Sequence, residues 1–231
     1  LGDVYKRQEY YNRKTTDMIL ERPMAFSSGF ESYLDNIGEM RNSGWEITLN
    51  GMLIKRPDMR WDVTVMASTQ SNKVLKLTPE TPEIIDGSTI IREGLPIYTY
   101  YMSKFAGVDP ATGAALYYAY KDVTDETTGE TRREEYITSD TSEASSSRYT
   151  CGSRIPDLFG SIGSTFQWKG LDFSILTTYS IGGKVNEAIY SSTMNPFYYG
   201  QTFHKHLTRA WKQPGDITDV PRVEVGTSSI S

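Results

Sequence analysis

The two histidines, His204 and His206, stand in the run HKH. On a strand they would share one face, and two imidazoles begin a metal site. A zinc site needs a third protein ligand, and none lies nearby in sequence, so the pair reads as loop or lumen surface. Carboxylates crowd DVTDETTGE (122–130) and TRREEY (131–136). Paired carboxylates can hydrolyse glycosides, but these lie in the most polar part of the chain, where a solvated loop is the simpler reading. The same run could hold calcium weakly, yet it lacks EF-hand spacing. SIGGKV (180–185) lacks the first glycine and the final hydroxyl of a phosphate-cradling loop, and there is no Gly-x-Ser-x-Gly elbow. Cys151 is the one cysteine, which excludes an internal disulfide and a cysteine-based zinc site. No catalytic residue, metal or cofactor is indicated.

Aromatic residues remain. Flat rings stack on the apolar faces of sugars while nearby polar groups bind hydroxyls. Tyr117, Tyr118 and Tyr120 border the acidic run, and Phe197, Tyr198, Tyr199, Trp211 and Arg222 lie in the tail. The candidate substrate-binding residues are therefore Tyr117, Tyr118, Tyr120, Tyr198, Tyr199, Trp211 and Arg222. The competing roles are an aromatic girdle, loop packing and contact with a partner.

The elements that must position these residues are strands. GWEITLNGMLIKRPDMRWDVTVMASTQ (44–70) alternates apolar and polar residues twice around a Pro57-Asp58 turn. LFGSIGSTFQWKGLDFSILTTYSIGG (158–183) repeats the pattern around Lys169-Gly170. Its arms point Ile162, Phe166 and Trp168, then Leu171, Phe173, Ile175, Tyr179 and Ile181, to one face. Ser164, Gln167, Asp172, Ser174, Thr178 and Ser180 are assigned to the other, with Leu176 as an exception. Residues 9–20 read as a short strand and 29–44 as a loop. Residues 97–120 read as two aromatic strands around GVDPATG. The segments 77–96, 121–157 and 184–222 read as long connections, the polar run 121–150 as exposed or disordered. Six to eight strands and no helix are expected. The opening LGDVYKRQ fits no pattern and is set aside as non-native, leaving 9–231 as one β region.

The bulk composition leaves the apolar face unassigned. Mean hydropathy is −0.47 and no run of about 18 apolar residues exists, which argues against transmembrane helices. A transmembrane barrel stays polar on average, because every second strand residue faces the lumen. Sixteen Tyr against 8 Phe and 4 Trp suit strands and interfaces. The net charge of −5 gives no dense basic face for nucleic acid. In a soluble sandwich the apolar face is inside; in a membrane barrel it is outside. The rhythm of brief and long connections favours the barrel.

Four blocks in order, DNIGEMRNSGWEITLN, FAGVDPATGAALYYAY, IPDLFGSIGSTFQWKGLDFSILTTYSIGGKV and LTRAWKQPGDITDVPR, resemble the carboxyl-terminal part of SusC/RagA-type TonB-linked outer-membrane transporters. The resemblance covers roughly 9–222. It implies an all-β, antiparallel transmembrane barrel segment, part of a 22-stranded plugged barrel, with long extracellular loops and short periplasmic turns. It implies residence in the outer membrane of a Gram-negative, Bacteroidota-like bacterium. It implies import of oligosaccharides or peptides with a SusD-type surface lipoprotein, driven by the TonB complex through parts this chain does not contain. Trp45, Ile47, Leu49, Val63, Val65, Phe173 and Ile175 would then face lipid. Glu46, Thr48, Asp62, Thr64, Asp172 and Ser174 would face the lumen. The resemblance carries no enzymatic step. The alternative is a soluble, secreted β-sandwich that binds carbohydrate; a glycoside-cleaving enzyme has only scattered carboxylates behind it.

Overall fold

The computed structural model describes residues 3–24, 26–30, 32–124, 129–195, 200 and 202–223. The chain divides into two compact units: Leu1–Tyr100 with Cys151–Lys184, and Tyr101–Thr150 with Val185–Ser231.

The first unit is built on one long antiparallel sheet. Strands β1 (Val4–Pro23), β2 (Ser32–Arg56) and β3 (Met59–Thr69) are joined in sequence. β4 (Ser71–Lys76) folds back onto β2. After β5 (Glu83–Asp86), β6 (Thr89–Arg92) and β7 (Thr99–Met102), the chain leaves for the second unit. It returns through β11 (Tyr149–Ser153) to β12 (Leu158–Trp168) and β13 (Leu171–Ile181). The order is β1-β2-β3-β12-β13 in the long sheet and β11-β7-β6-β5 in a second one.

Register fixes the faces, since a one-residue slip would turn every side chain over. Leu49, Val65, Ile162 and Thr177 stand in one cross-strand row. Trp61, Phe166 and Phe173 stand in another, with the ends of the sheet closed by Trp168↔Leu171 and Tyr10↔Trp45. Nothing among the described residues covers this face: Phe173 is 58% and Ile175 52% exposed. The opposite face carries Arg7 paired with Glu9 at 2.6 Å, Arg60 with Asp62 at 2.6 Å, and Thr64 donating to Asn50 at 2.8 Å. The division of faces expected from the alternation is present, with one correction. Ser164 lies on the apolar face, between Val63 and Ile175, where its hydroxyl accepts the Trp61 indole N–H at 2.9 Å. Tyr179 on the same face donates to the Met66 carbonyl at 2.9 Å, and its phenol lies where a Cβ on Gly160 would stand. Polar atoms on the apolar side are thus spent inside the sheet.

Both brief turns lie at one end of this sheet. Lys169 and Gly170 both have positive φ, as a tight hairpin turn requires. The Lys169 N–H donates to the Asp58 carbonyl of the neighbouring turn at 3.0 Å.

Several expectations give way. Of residues 29–44, expected as a loop, those from Ser32 onward belong to β2. The in-strand glycine Gly44 lets Tyr11 and the Thr69 carbonyl approach the backbone. Strand β1 begins at Val4, so the opening residues from Val4 to Gln8 do take a strand pattern, opposite Gly51 to Ile47. It runs to Pro23 with a register shift near Asp17, whose φ is positive. The segment 77–96 holds the β5–β6 hairpin turned at Gly87. The buried apolar side chains described in this unit lie here and nearby: Val74, Leu77, Ile84, Ile90 and Tyr100.

The second unit holds β8 (Lys104–Val108), β9 (Ala115–Thr124) and β10 (Thr131–Thr138) in the order β10-β9-β8. It also has two short helices, α1 (Thr141–Ser146) and α2 (Ala188–Met194), and a 3-10 turn at Lys205–Arg209. The polar run 121–150 is therefore structured where described, and the described residues hold thirteen strands rather than six to eight. Cross-strand pairs such as Arg133–Asp122 suit its charges. Asp140 caps α1 by accepting from the Ser142 and Glu143 N–H groups. Ala144 and Ser147 are buried, and Ser147 exchanges hydrogen bonds with the Tyr120 backbone.

Candidate functional site

The candidate residues that are described all fall in the second unit. Tyr198 and Tyr199, with Phe197, lie outside the described residues.

GVDPATG forms a self-bonded turn. Asp109 accepts from the Ala111 N–H at 2.9 Å and the Thr112 hydroxyl at 2.5 Å, which holds its carboxyl below the usual carboxylate range, the Thr112 hydroxyl contributing most. Gly113, at φ +72°, lies under the Trp211 ring, so any side chain there would strike the indole. The Trp211 indole N–H donates to the Pro110 carbonyl at 3.0 Å. Arg222 donates to the Thr112 carbonyl from its guanidinium at 3.2 Å, and to the Gly113 carbonyl from its backbone N–H. Two blocks of sequence about a hundred residues apart are thus one clamp. Trp211 and Arg222 are engaged in it.

The three tyrosines of β9 separate. Tyr118 lies under the Lys104 ammonium, 4.6 Å from the ring centre. Tyr120 carries the Arg133 guanidinium at 4.0 Å and meets the Tyr149 ring edge-on at 5.5 Å. Burial, then Glu135, pushes the Tyr149 phenol up to about 12. Tyr117 points elsewhere: it is 8% exposed and packs edge-on against Phe105. Its hydroxyl has no hydrogen-bond partner among the described residues, and burial alone raises its pKa.

Tyr117 opens onto a cavity of about 500 Å³. Met194 and Val220 give it a buried floor. Phe105 stands at its side, and Glu187 and Asp219 at its rim. Sequence reasoning missed all of these except Tyr117. The available signal was Tyr190 and Met194, four apart in NEAIYSSTM, a spacing that puts both on one helix face. Both pack in the small core with Ala210, Val220 and Leu207.

The histidines are not on a strand. His204 caps the 3-10 turn and His206 lies in it, with ring centres 4.3 Å apart, and Tyr190 hydrogen-bonds His206 Nδ1 at 3.1 Å. Burial, then Arg209, His204 and Lys205, lowers the His206 pKa. No group of three or more His, Cys, Asp or Glu fit for a metal occurs among the described residues.

No family model matches the chain. It is 28% identical to TonB-dependent receptor P26 of Formosa agariphila, over 96% of this chain and 23% of that protein. It is 24% identical to TonB-dependent receptor SusC of Bacteroides thetaiotaomicron, over 78% of this chain and 17% of that protein. Among solved structures, that of the RagAB peptide transporter superposes with a TM-score of 0.78 at 28% identity, covering 97% of this chain and 24% of that one. The chain thus spans about a quarter or less of the length of the relatives it matches.

Proposed function

We propose that the chain, similar over most of its length to SusC/RagA-type TonB-linked transporters, is one of them and forms part of the wall of an outer-membrane importer for oligosaccharides or peptides. The observation that carries the reading is the long sheet. Its apolar face is bare, its other face is charged and hydrogen-bonded, and its two tight turns share one end. In lipid every backbone polar group needs an internal partner, which for strands means a closed barrel. β1 and β13 are edges in this segment, and the rest of the barrel would pair with them.

In this reading the end with the tight turns faces the periplasm and the long connections between strands lie on the extracellular side. A SusD-type lipoprotein covers that side, and the TonB complex supplies force from the inner membrane. Nothing covalent happens to the cargo; the lumen guides it after the plug yields. The soluble sandwich has no favouring observation, because a sandwich would cover the face that is bare here.

The test is fractionation. The intact transporter should collect with outer membranes and change its gel migration on heating. Recovery as a soluble, detergent-free monomer would contradict the reading.

A further inference from the structure

We propose that the cavity at Tyr117 binds the side chain of a lysine or arginine residue in a peptide substrate. The inference rests on the importer reading above and narrows its cargo to peptides with basic residues. Three features of the cavity carry it.

The first is the Tyr117 hydroxyl. The residue is more than nine-tenths buried, lines the cavity, and its hydroxyl has no partner among the described residues. The hydroxyl opens into the cavity, so a ligand bringing a donor to it makes a hydrogen bond that no described residue makes. The second is charge. The ionisable groups at the rim that carry charge near neutral pH are both carboxylates, Glu187 and Asp219. Arg209 sits 3.1 Å from Asp219 and balances it. The Glu187 carboxylate has no ion pair or hydrogen bond among the described residues, leaving one unbalanced negative charge at the mouth. The third is the wall. Met194, Val220 and Phe105 offer aliphatic and aromatic surface, which suits a methylene stem.

A lysine side chain meets all three at once. Its four methylenes lie along the apolar wall, as such stems do on protein surfaces. Its ammonium donates to the Tyr117 oxygen and to the rim carboxylate. An arginine stem and guanidinium satisfy the same groups. A pyranose would bring hydroxyls, but no charge for Glu187 and no flexible stem for the methionine-lined floor.

The experiment uses the intact transporter in detergent and three probes: a short synthetic peptide with one central lysine, the same peptide with norleucine, and a neutral glucose oligomer. Calorimetry reads the affinities. The lysine peptide should bind about five to ten times more tightly than the norleucine peptide, the range of one charge-assisted contact. Tyr117→Phe should reduce that preference about threefold and Glu187→Gln about twofold to fivefold, the latter vanishing at high salt. Neither change removes a packing contact, so heat-modified migration should stay as in the parent. Equal binding of the two peptides, unchanged preference in both variants, or displacement of the lysine peptide by the glucose oligomer would each overturn the proposal. A transporter that fractionates correctly but shows no preference refutes the pocket and leaves the importer reading standing. A soluble protein that shows the preference does the reverse.

Discussion

The long sheet and the clamp around GVDPATG hide their apolar residues in opposite ways. In the sheet, Trp45, Phe173 and Ile175 point outward and lie bare, and the ladder of backbone bonds holds the strands together. In the second unit, Met194, Ala210 and Val220 point inward to a small core, and Trp211 caps a turn from outside. In the proposed reading one region takes lipid as its solvent and the other takes water. The difference explains why mean hydropathy was no guide, and it makes each region sensitive to a different kind of change.

The largest effect should come from charge on the bare face. Ile175→Lys is expected to destabilise the membrane-inserted barrel by about 2–4 kcal/mol, the range for a lysine near mid-bilayer, while Ser174→Lys on the other face should be close to neutral. Urea unfolding in lipid vesicles reads both, and equal effects would break the distinction between the faces. Next comes the clamp. Trp211→Ala removes the cover over Gly113 and the bond to Pro110 and should cost about 2 kcal/mol locally. It should speed protease cleavage within 109–113 and leave the sheet's urea midpoint unmoved. A shift of both would mean the two regions are not independently sensitive.

Two smaller effects follow from protons. Asp109 has a folded pKa below its unfolded value, so its stabilisation of the turn is full above the unfolded value near 4 and is lost as pH falls through the lower folded one. Protection of the Ala111 amide against hydrogen exchange, taken relative to the intrinsic rate at each pH, should fall in that acidic window, and Asp109→Ala should lower it at neutral pH. His206 is likewise lowered. The packing of Tyr190 on it is complete above about pH 6.5 and weakens as pH falls through the lower folded value. A titration of the two imidazoles by NMR should place His206 below the free-histidine value.

The faces of the sheet were legible in the sequence because a period of two survives in both hairpins. Ser164 was misassigned because a small hydroxyl on a lipid face looks polar until its partner, Trp61, is seen across the strand. The strand at 32–44 was missed because Gly38 and Gly44 look like turn residues; Gly44 is a point of close approach by Tyr11 and Thr69. The order of 129–153 was hidden for another reason. It is held by the backbone ladder between β9 and β10 and by Ser147 on the Tyr120 backbone, with charged side chains such as Arg133 and Asp122 facing each other, which leave no hydrophobic period. Among candidate residues, Tyr117 was picked for its ring and matters here for its unpaired hydroxyl. Trp211 and Arg222 were picked as an aromatic ring and a polar group in the tail and are engaged by a turn a hundred residues away.

The central claim is that the bare face of the long sheet meets lipid. With Cys151 changed to Ser, a spin label placed at Ile175→Cys and, separately, at Ser174→Cys tests it in the reconstituted transporter. The account predicts that the label at 175 collides with dissolved oxygen, which concentrates in lipid, and the label at 174 with a water-soluble nickel complex. The opposite pattern, or water access at both positions, would contradict it.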